Sequence, residues 1–232
     1  MRTTLSVSVP TGMLGAALLF SADKDPTRPY LCGVCVEHSR AGVRLYATDG
    51  HCLIACNVPL SDDVAPYTSE NPTRYLLPND AVNAITKAYR KQPVIPVCFE
   101  HEWEPAESAG VREVRDVSKR VVLGNLELGQ TVVPVPPDAY PDVARVVPRA
   151  TSGVLAQFNA AYLLDCAKAR ALLNDSKVNG FVRVHHNGDA AAFVPLTADA
   201  FAVIMPVRGD VQDGTGAPAW FTGETEAAAE AA

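Results

Sequence analysis

The 232-residue sequence lacks any apolar run near the ~20 residues that a membrane-spanning helix requires, and we expect no membrane partner. Its opening stretch, MRTTLSVSVP, lacks the basic region and long apolar core of a secretion signal, which predicts a cytoplasmic protein. Basic residues are fewer than acidic ones, 20 against 26, so the net charge is −6. This balance argues against the extensive phosphate neutralisation of a tight DNA-binding repressor, although a local basic face remains compatible with DNA contact.

Catalytic and nucleotide-binding signatures are also absent: the sequence contains no GxSxG, HExxH, P-loop or GxGxxG pattern. The nearest approach to an acid–base pair is Asp49 with His51, and the nearest to a pair of metal ligands is His185 with His186. Side chains of adjacent strand residues point to opposite faces of a sheet, which disfavours such pairs as reactive groups. We therefore predict a protein that is not an enzyme and that uses no cofactor.

The six cysteines are the remaining candidates for a metal site. A zinc site would draw four ligands from one group of neighbours: Cys32, Cys35, Cys52, Cys56, His38 and His51. However, Cys32 and Cys35 fall within a predicted strand, where they would point to opposite sides of the sheet. We therefore expect no metal and no disulfide, and thiols that behave as small buried apolar groups.

Residues 30–60 carry the clearest structural pattern in the chain. Two predicted strands are joined at 39–42, and a third follows a sharp turn at 48–51. Asp-Gly in that turn is a strong signal, because glycine accepts a positive φ. β-branched and aliphatic residues that suit a half-buried sheet occupy the strands: Val34, Val36, Val43, Leu45, Leu53 and Ile54. The pattern predicts a three-stranded meander.

Three segments share the order strand, helix, then two or three strands, which predicts stacked units of one kind and an α+β fold. Helices are predicted at 12–21, 80–90 and 160–173, with Thr11, Asn79 or Asp80, and Asn159 as their N-caps. The strands that lead into them are predicted at 4–9, 74–77 and 154–158. Outside the meander, the strands that follow them are predicted at 94–100, 113–123, 126–133, 180–185, 191–195 and 201–207.

Three separated motifs, ATDGH (47–51), AYPDVARVVP (139–148) and FAVIMPVR (201–208), resemble in this order those of the bacterial DNA polymerase III beta subunit family, the β sliding clamps. The resemblance implies a DNA clamp fold, in which repeated βαβββ units place helices on one side of antiparallel sheets. It implies a complete clamp-like domain at 1–140, a connector at 141–153 and half a domain at 154–208, without the family's first domain. The Gly-, Ala- and Glu-rich tail, 209–232, is expected to be disordered.

The same resemblance implies a pocket for short partner peptides. Its walls would come from the meander, the connector and the final strand: Arg28, Leu31, Thr48, Gly50, His51, Leu53, Pro141, Arg145, Val146, Val203, Met205, Pro206, Val207 and Arg208. Aliphatic side chains and Met make an adaptable apolar floor, and arginines suit peptide carbonyls or an acidic group at the rim. Without the motifs, the same residues would be interpreted as strand core and a solvated basic surface.

Two features depart from the family's pattern. Cys52 stands where an arginine usually follows Asp-Gly-His, and the chain continues past Arg208, where a tail would be able to cover or occupy the pocket.

The predicted helices also imply a weak, sequence-independent contact with double-stranded DNA. Helix 80–90 has an apolar stripe, Val82, Ile85 and Tyr89, and helix 160–173 a less clean one at Leu163, Ala167 and Ala171. In a clamp, such helices line the central hole and offer cations to phosphates. The candidate DNA-facing residues are Lys24, Arg28, Lys87, Arg90, Lys91, Lys168 and Arg170. A solvated helix face is the alternative interpretation.

Two functions fit these patterns. The first is a sliding-clamp-like DNA replication processivity factor that tethers peptides of a polymerase, a clamp loader or repair proteins. The alternative is a clamp-derived peptide-binding module that does not encircle DNA and that competes with or regulates a host clamp. The unmatched half domain predicts a homo-oligomer, first a two-fold dimer through 154–208 and then a ring of four chains. The alternatives are that another protein supplies the missing unit, or that residues 209–232 fold back over the open face.

Overall fold

The computed structural model describes the backbone of residues 2–60, 72–108, 111–134, 140–174 and 181–207. It describes the side chains of these residues except those of 2–5, 101–108, 111–119 and 129–134. Arg208, Gly180 and the predicted tail at 209–232 lie outside the described residues. Within the described part of the chain, no helix is long and apolar enough to cross a membrane.

In the part of the chain that the structure describes, three α-helices accompany two antiparallel sheets, which confirms the predicted α+β class. The helices are α1 (Thr11–Leu18), α2 (Asn79–Ala88) and α3 (Ala160–Leu173). The strands are β1 (Arg2–Pro10), β2 (Gly33–Ser39), β3 (Gly42–Thr48), β4 (Cys52–Val58), β5 (Thr73–Pro78), β6 (Val94–Ser108), β7 (Val111–Asn125), β8 (Gly129–Pro134), β9 (Ala192–Pro195) and β10 (Ala200–Ile204). One sheet has the order β1-β6-β7-β8, and the other has the order β5-β2-β3-β4-β10-β9.

The meander forms as predicted and lies at the centre of the larger sheet. β2 pairs with β3 through the turn at Gly42, and β3 pairs with β4 through the turn at Gly50. Both glycines have positive φ, 108° and 95°, a conformation that glycine adopts without steric penalty. β10 then pairs with β4, with Val203 opposite Leu53, so the last strand among the described residues extends this sheet.

One face of the larger sheet packs on the helices and forms the main core. Val36 and Ile54 of the meander, Cys166 and Ala169 of α3, and Ile204 of β10 all belong to this one buried cluster. The predicted boundary at 141–153 therefore separates two segments that share a core. The division into one and a half clamp-like domains stays a prediction.

The opposite face of the same sheet carries a second, smaller cluster. Leu53 and Val203 are buried there together with Val143, and Tyr140 packs against them. Because strand residues alternate between faces, β2, β3, β4 and β10 each supply residues to both clusters. The connector that was predicted from sequence thus lies across the sheet on the face that the helices leave uncovered.

This alternation also separates the cysteines. Cys35 lies in the second cluster, whereas Cys52 and Cys56 lie in the main core on the other side of the sheet. Cys32 precedes β2, outside the strand in which it was predicted, and its sulfur accepts a hydrogen bond from the Asp25 N–H at 3.1 Å. Burial raises the pKa of Cys56 to about 12, so this thiol stays neutral at physiological pH.

Two of the three predicted N-caps are wrong. α1 and α2 begin directly after Pro10 and Pro78, which cap them without a side-chain hydrogen bond. In place of a capping side chain, carbonyl groups of neighbouring loops accept the first N–H group of each helix. The Thr11 N–H bonds the Pro93 carbonyl at 2.9 Å, and the Asn79 N–H bonds the Cys32 carbonyl at 3.3 Å.

The third N-cap, on α3, is correct. The Asn159 side chain accepts the Ala161 N–H at 3.0 Å, and α3 ends at the predicted residue.

Two predicted strands of the third unit do not form. Residues 154–158 and 181–184 are rich in apolar residues, but neither segment forms a strand. Val154 and Gln157 each accept a single backbone hydrogen bond, from Gly188 and Val207, and His185 forms one isolated bridge to Phe193. Isolated bonds of this kind tie the segment down without building a ladder.

The predicted stripe of α3 is shifted as well. Cys166 and Ala169 are its buried residues, while Ala167 and Ala171 are only partly buried. Leu163 and Leu173 pack against the same core as Cys166 and Ala169, so the predicted pattern misplaces the inner face by about one residue after Leu163. The stripe predicted for α2, in contrast, is buried at Val82, Ile85 and Tyr89.

Candidate functional site

A cavity of about 190 Å³ opens where the β3–β4 turn, the connector and the end of β10 meet. It is lined by ten of the fourteen residues predicted to form the peptide pocket: Arg28, Leu31, Thr48, Gly50, His51, Leu53, Pro141, Val146, Val203 and Met205. The structure thus brings together residues that are up to about 180 positions apart in sequence. Peptide binding in this cavity stays a prediction.

The β3–β4 turn is held by its own side chains. The Gly50 N–H donates to Oγ1 of Thr48 at 3.0 Å, and the Thr48 hydroxyl donates to the Cys52 carbonyl at 2.7 Å. Oδ1 of Asp49 accepts the N–H groups of His51 and Cys52, both at 2.8 Å. An Asp side chain that bonds its own backbone is the usual way to fix such a turn. The cavity therefore has one rigid wall.

The end of β10 is joined to this turn. The Met205 N–H donates to the His51 carbonyl at 2.8 Å, which sets the Met205 side chain at the rim beside the turn. Met205 is 40% exposed, whereas Leu53 and Val203 beneath it are buried. The floor is thus part of the second core cluster, and the rim is an accessible, adaptable apolar side chain.

The connector supplies the third wall. A 3₁₀ turn at Val143–Arg145 begins at Asp142, whose Oδ1 accepts the Ala144 N–H at 3.2 Å. Val143 is buried against the sheet, while Val146, on the cavity side, is 48% exposed. The Tyr-Pro-Asp motif therefore anchors the connector so that an apolar residue of the same turn faces the cavity.

Arg28 is the arginine that lines the cavity among the described residues. Its Nε donates to Oδ2 of Asp25 at 2.8 Å, and Nη1 lies so close to Gly50 that a Cβ there would be 2.7 Å away. The hydroxyl of Thr27, which donates to Oδ1 at 2.6 Å, and Arg28 hold the pKa of Asp25 down at about 2. Among the described residues, neither Nη atom has a hydrogen-bond partner. The guanidinium is positioned, with two nitrogens left to meet a ligand.

Four predicted pocket residues are not among those that line the cavity. Arg145 is exposed on the connector, Pro206 and Val207 follow the rim, and Arg208 lies outside the described residues. The N–H of Val207 bonds the Gln157 carbonyl at 2.8 Å, which draws the chain away from the cavity towards the 151–159 segment.

Four residues that sequence reasoning missed also line the cavity: Tyr30, Cys52, Asp142 and Val143. Asp142 and Val143 belong to the connector motif, and the position of Tyr30 beside Leu31 was the available signal. Cys52 replaces an arginine of the family pattern, and it is buried in the main core with Sγ 3.4 Å from Oδ1 of Asp49. Burial raises the pKa of Cys52, so no charge replaces the arginine at this position.

A second, larger cavity of about 880 Å³ lies on the same face of the sheet, across the connector. It is lined by residues such as Arg44, Tyr46, Arg149 and Phe201, and by none of the predicted pocket residues. Val143 lines both cavities, so the connector forms the ridge between them.

The candidate DNA-facing residues lie in three places: at the end of α2, on α3, and in the loop that follows α1. Lys87, Arg90 and Lys91, in and after α2, are exposed, and none of them forms an ion pair with a described residue. Lys168 is paired with Asp165 at 2.9 Å. Nη1 of Arg170 donates to the Phe181 carbonyl at 3.2 Å, and Cζ of Arg170 lies 4.7 Å from the centre of the Phe181 ring.

Lys24 is exposed in the loop that follows α1, and Arg28 belongs to the cavity described above. Because α2 and α3 both pack against α1, the three helices form one layer. Among the candidate cations on α2 and α3 that the structure describes, those at the α2 end are exposed and have no ion-pair partner, whereas Lys168 and Arg170 on α3 are engaged.

Solved structures of bacterial β sliding clamps share this fold. A DNA polymerase sliding clamp from Pseudomonas aeruginosa, solved with a ligand, has a TM-score of 0.61 and 17% identity, over 88% of this chain and 66% of that one. The DNA polymerase III beta subunit of Thermotoga maritima has a TM-score of 0.58 and 13% identity, over 91% and 66%. The Helicobacter pylori β clamp bound to a DNA ligase peptide has a TM-score of 0.55 and 12% identity, over 88% and 65%.

No family model and no curated protein matches the sequence. The structural matches confirm the sliding-clamp fold predicted from the three motifs, and identities of 12–17% show the fold alone. The chain spans about 66% of the length of the first two of these clamps.

Proposed function

We propose that this chain is a cytoplasmic, sliding-clamp-like replication factor, without catalytic activity, which tethers a polymerase or repair proteins through a peptide held in the 190 Å³ cavity. One observation carries the proposal. Three motifs that are far apart in sequence supply the turn, the connector and the rim of a single cavity in a clamp fold. The Helicobacter pylori clamp of the same fold binds a DNA ligase peptide, which supports peptides of DNA enzymes as the ligand class.

The cavity suits a short peptide better than a free metabolite. Pockets for drug-sized ligands usually measure roughly 300–1,000 Å³, and this one has room for one or two apolar side chains. Its floor at Leu53 and Val203 is apolar, and its rim offers the guanidinium of Arg28. Apolar anchors with a polar rim are the usual composition of a peptide site.

We expect a synthetic peptide with the Gln, Leu and Phe pattern of clamp ligands to bind with about micromolar affinity, near −8 kcal/mol. Replacing Val146 and Met205 together by Ala should weaken binding about tenfold, because both contribute apolar rim that the peptide covers. Both side chains are partly exposed, so the fold should tolerate their loss. Fluorescence anisotropy with the labelled peptide measures the effect.

The matched control is Leu126→Ala, which truncates an aliphatic side chain that is 88% exposed, lies between β7 and β8 of the other sheet and does not line the cavity. It should leave the affinity unchanged. Equal affinity in the double variant and the control, with unchanged thermal unfolding, would falsify the site.

The alternative function is a clamp-derived peptide module that does not encircle DNA and that competes with a host clamp. One observation favours it: Lys168 and Arg170 are engaged by Asp165 and Phe181, which leaves the available cations at the α2 end of the helix layer. Binding to a DNA duplex distinguishes the two functions, because only a clamp that encircles DNA needs phosphate contacts.

We further propose that the chain forms a two-fold dimer through 154–208, and that two dimers close a ring. The docking of α3 and β10 covers most of this unit within the chain, but Leu155 and Phe181 remain 78% exposed, and Val154 and Leu164 are more than half exposed. A second copy is the simplest partner for exposed apolar residues of one unit.

Sedimentation at about 10 μM should therefore show a dimer, since an apolar interface of ordinary size holds at micromolar concentration. Replacing Leu155 and Phe181 together by Asp should give a monomer of 24.7 kDa, because two buried, unpaired carboxylates oppose association. Leu126→Asp serves as the control and should remain a dimer. A monomeric unsubstituted chain would contradict the dimer and the ring alike.

A further inference from the structure

We propose that the cavity has a ligand within its own chain: Trp220 and Phe221 occupy it when no partner peptide is bound. This inference rests on the proposed function of the cavity as a peptide site, and it names the regulation of that site. For this to occur, the cavity needs an apolar floor, the tail must be long enough to reach the cavity, and the charge at the rim must attract this acidic segment.

The floor suits two large apolar side chains. Leu31, Leu53 and Val203 are buried beneath the opening, and Met205 and Val146 flank it with about half of their surface exposed. Exposed apolar side chains around a preformed cavity gain free energy when another apolar group covers them. Trp and Phe bring the largest apolar surfaces of all side chains, and Trp adds an N–H for the polar rim.

The chain reaches the cavity. Met205 lies at the rim, and only residues 206–219 separate it from Trp220. Twelve residues, 208–219, follow Val207, the last residue described, and at ~3.3–3.6 Å each they span up to about 40 Å. This distance exceeds the path back to the rim from Val207, which is two residues from Met205. No other Trp, Phe or Tyr occurs between 202 and 232.

The charges are complementary. Residues 208–232 contain five acidic residues, Asp210, Asp213, Glu224, Glu226 and Glu230, against one basic residue, Arg208. Arg28 stands at the rim with its Nε held by Asp25, and neither Nη atom has a partner among the described residues. Glu224 follows Phe221 by three residues, which suits a carboxylate at the rim beside an apolar anchor in the floor.

A weak intrinsic affinity is sufficient for occupancy. A ligand joined by a short chain segment has an effective concentration in the millimolar range. A tail segment with an intrinsic Kd of about 0.1 mM would then fill roughly nine cavities in ten. A partner peptide would bind with an apparent Kd raised about tenfold, because only the open fraction is competent.

The first experiment uses the full chain and a fluorescein-labelled peptide with the Gln, Leu and Phe pattern. Replacing Trp220 and Phe221 together by Ala should tighten its binding about tenfold, whereas Val211→Ala, the matched control in the same tail, should leave binding unchanged. Equal affinity in the double variant, the control and the unsubstituted chain overturns the inference and leaves the proposed function standing.

The second experiment separates failure of the inference from failure of the function. A labelled peptide of residues 214–227 is added to the full chain with Trp220→Ala and Phe221→Ala, in which the cavity is free. Binding near 0.1 mM is expected, weakened about tenfold by Arg28→Ala and unaffected by Arg149→Ala, which alters the larger cavity.

Each remaining outcome decides either the inference about the tail or the proposed partner-peptide function. No binding of the tail peptide, or binding that depends on Arg149 and not on Arg28, overturns the inference. Binding of the tail peptide at Arg28 without any binding of the Gln, Leu and Phe peptide supports the inference and removes the partner-peptide function.

Discussion

Replacing Gly12 by Ala is expected to lower the free energy of unfolding by about 3 kcal/mol, at the upper end of the usual range for overpacking. α1 and α3 cross here in close contact, and a Cβ on Gly12 would lie 2.2 Å from the Leu172 carbonyl oxygen. The obstructing atom belongs to the α3 backbone, so the clash can be relieved only by moving the helix. The gain in helix propensity from Gly to Ala, about 1 kcal/mol, offsets little of this.

Gly15→Ala is the matched control, one turn further along the same helix. Its Cβ would lie 3.6 Å from Cδ1 of Leu172, an ordinary van der Waals distance. The gain in helix propensity is then unopposed, and the variant should be more stable than the unsubstituted chain by up to about 1 kcal/mol. For a chain of this length, the two melting temperatures should differ by roughly 8–16 °C, with opposite signs relative to the unsubstituted protein.

The pair of variants tests how the third unit is attached. α3 belongs to the segment after the connector, and α1 belongs to the start of the chain. If Gly12→Ala unfolds at the same temperature as the unsubstituted protein, α3 does not rest on α1, and the shared core is wrong. Calorimetry is suitable because it also shows whether the two parts unfold in one transition.

Local sequence signals predicted the elements whose stabilisation is local. The meander follows from alternating apolar residues and the turn glycines, and α3 begins at Asn159 because that side chain caps its own backbone. The starts of α1 and α2 were misplaced because their first N–H groups bond the carbonyls of Pro93 and Cys32, which are distant in sequence. No local pattern encodes such partners.

The cavity depends on pairings that periodicity cannot reveal. Leu53 faces Val203 because β4 pairs with β10, and about 150 residues separate them. The three resembling motifs placed these segments together where propensity had no information. They did not indicate that Val207 turns towards Gln157, since that contact involves a segment which was predicted as a strand and lacks a ladder. Asp25, which orients Arg28, lies outside every motif.

Reversing three charges at the end of α2, Lys87→Glu, Arg90→Glu and Lys91→Glu, is expected to weaken binding to a duplex by at least about a hundredfold at ~50 mM salt. These side chains are exposed and have no ion-pair partner among the described residues, whereas Val82 and Tyr89 hold the helix in the core. Exposed cations beside a buried stripe suit a sliding contact, because electrostatic attraction to phosphates is independent of sequence and lets a protein move along DNA.

The salt dependence distinguishes phosphate contact from general repulsion. Removing one cation that neutralises a phosphate should reduce the slope of log K against log salt by about 0.9, so the slope of the triple variant should fall by roughly 2.7. The control is a second triple reversal, Arg40→Glu, Arg149→Glu and Arg183→Glu, which uses exposed residues outside the α2 end. Both variants change the net charge from −6 to −12, since three reversals each change it by −2.

Anisotropy with a labelled 30-bp duplex measures both quantities, and the labelled partner peptide serves as a check on the fold. The α2 variant should no longer bind the duplex and should still bind the peptide, because the cavity is lined by other elements. If both reversals weaken the duplex equally, the effect is net charge, and α2 is not the contact. If the unsubstituted chain binds the peptide but not the duplex at ~50 mM salt, where phosphate contacts are strong, then it does not track DNA. The peptide module without a ring would then be the function that the fold supports.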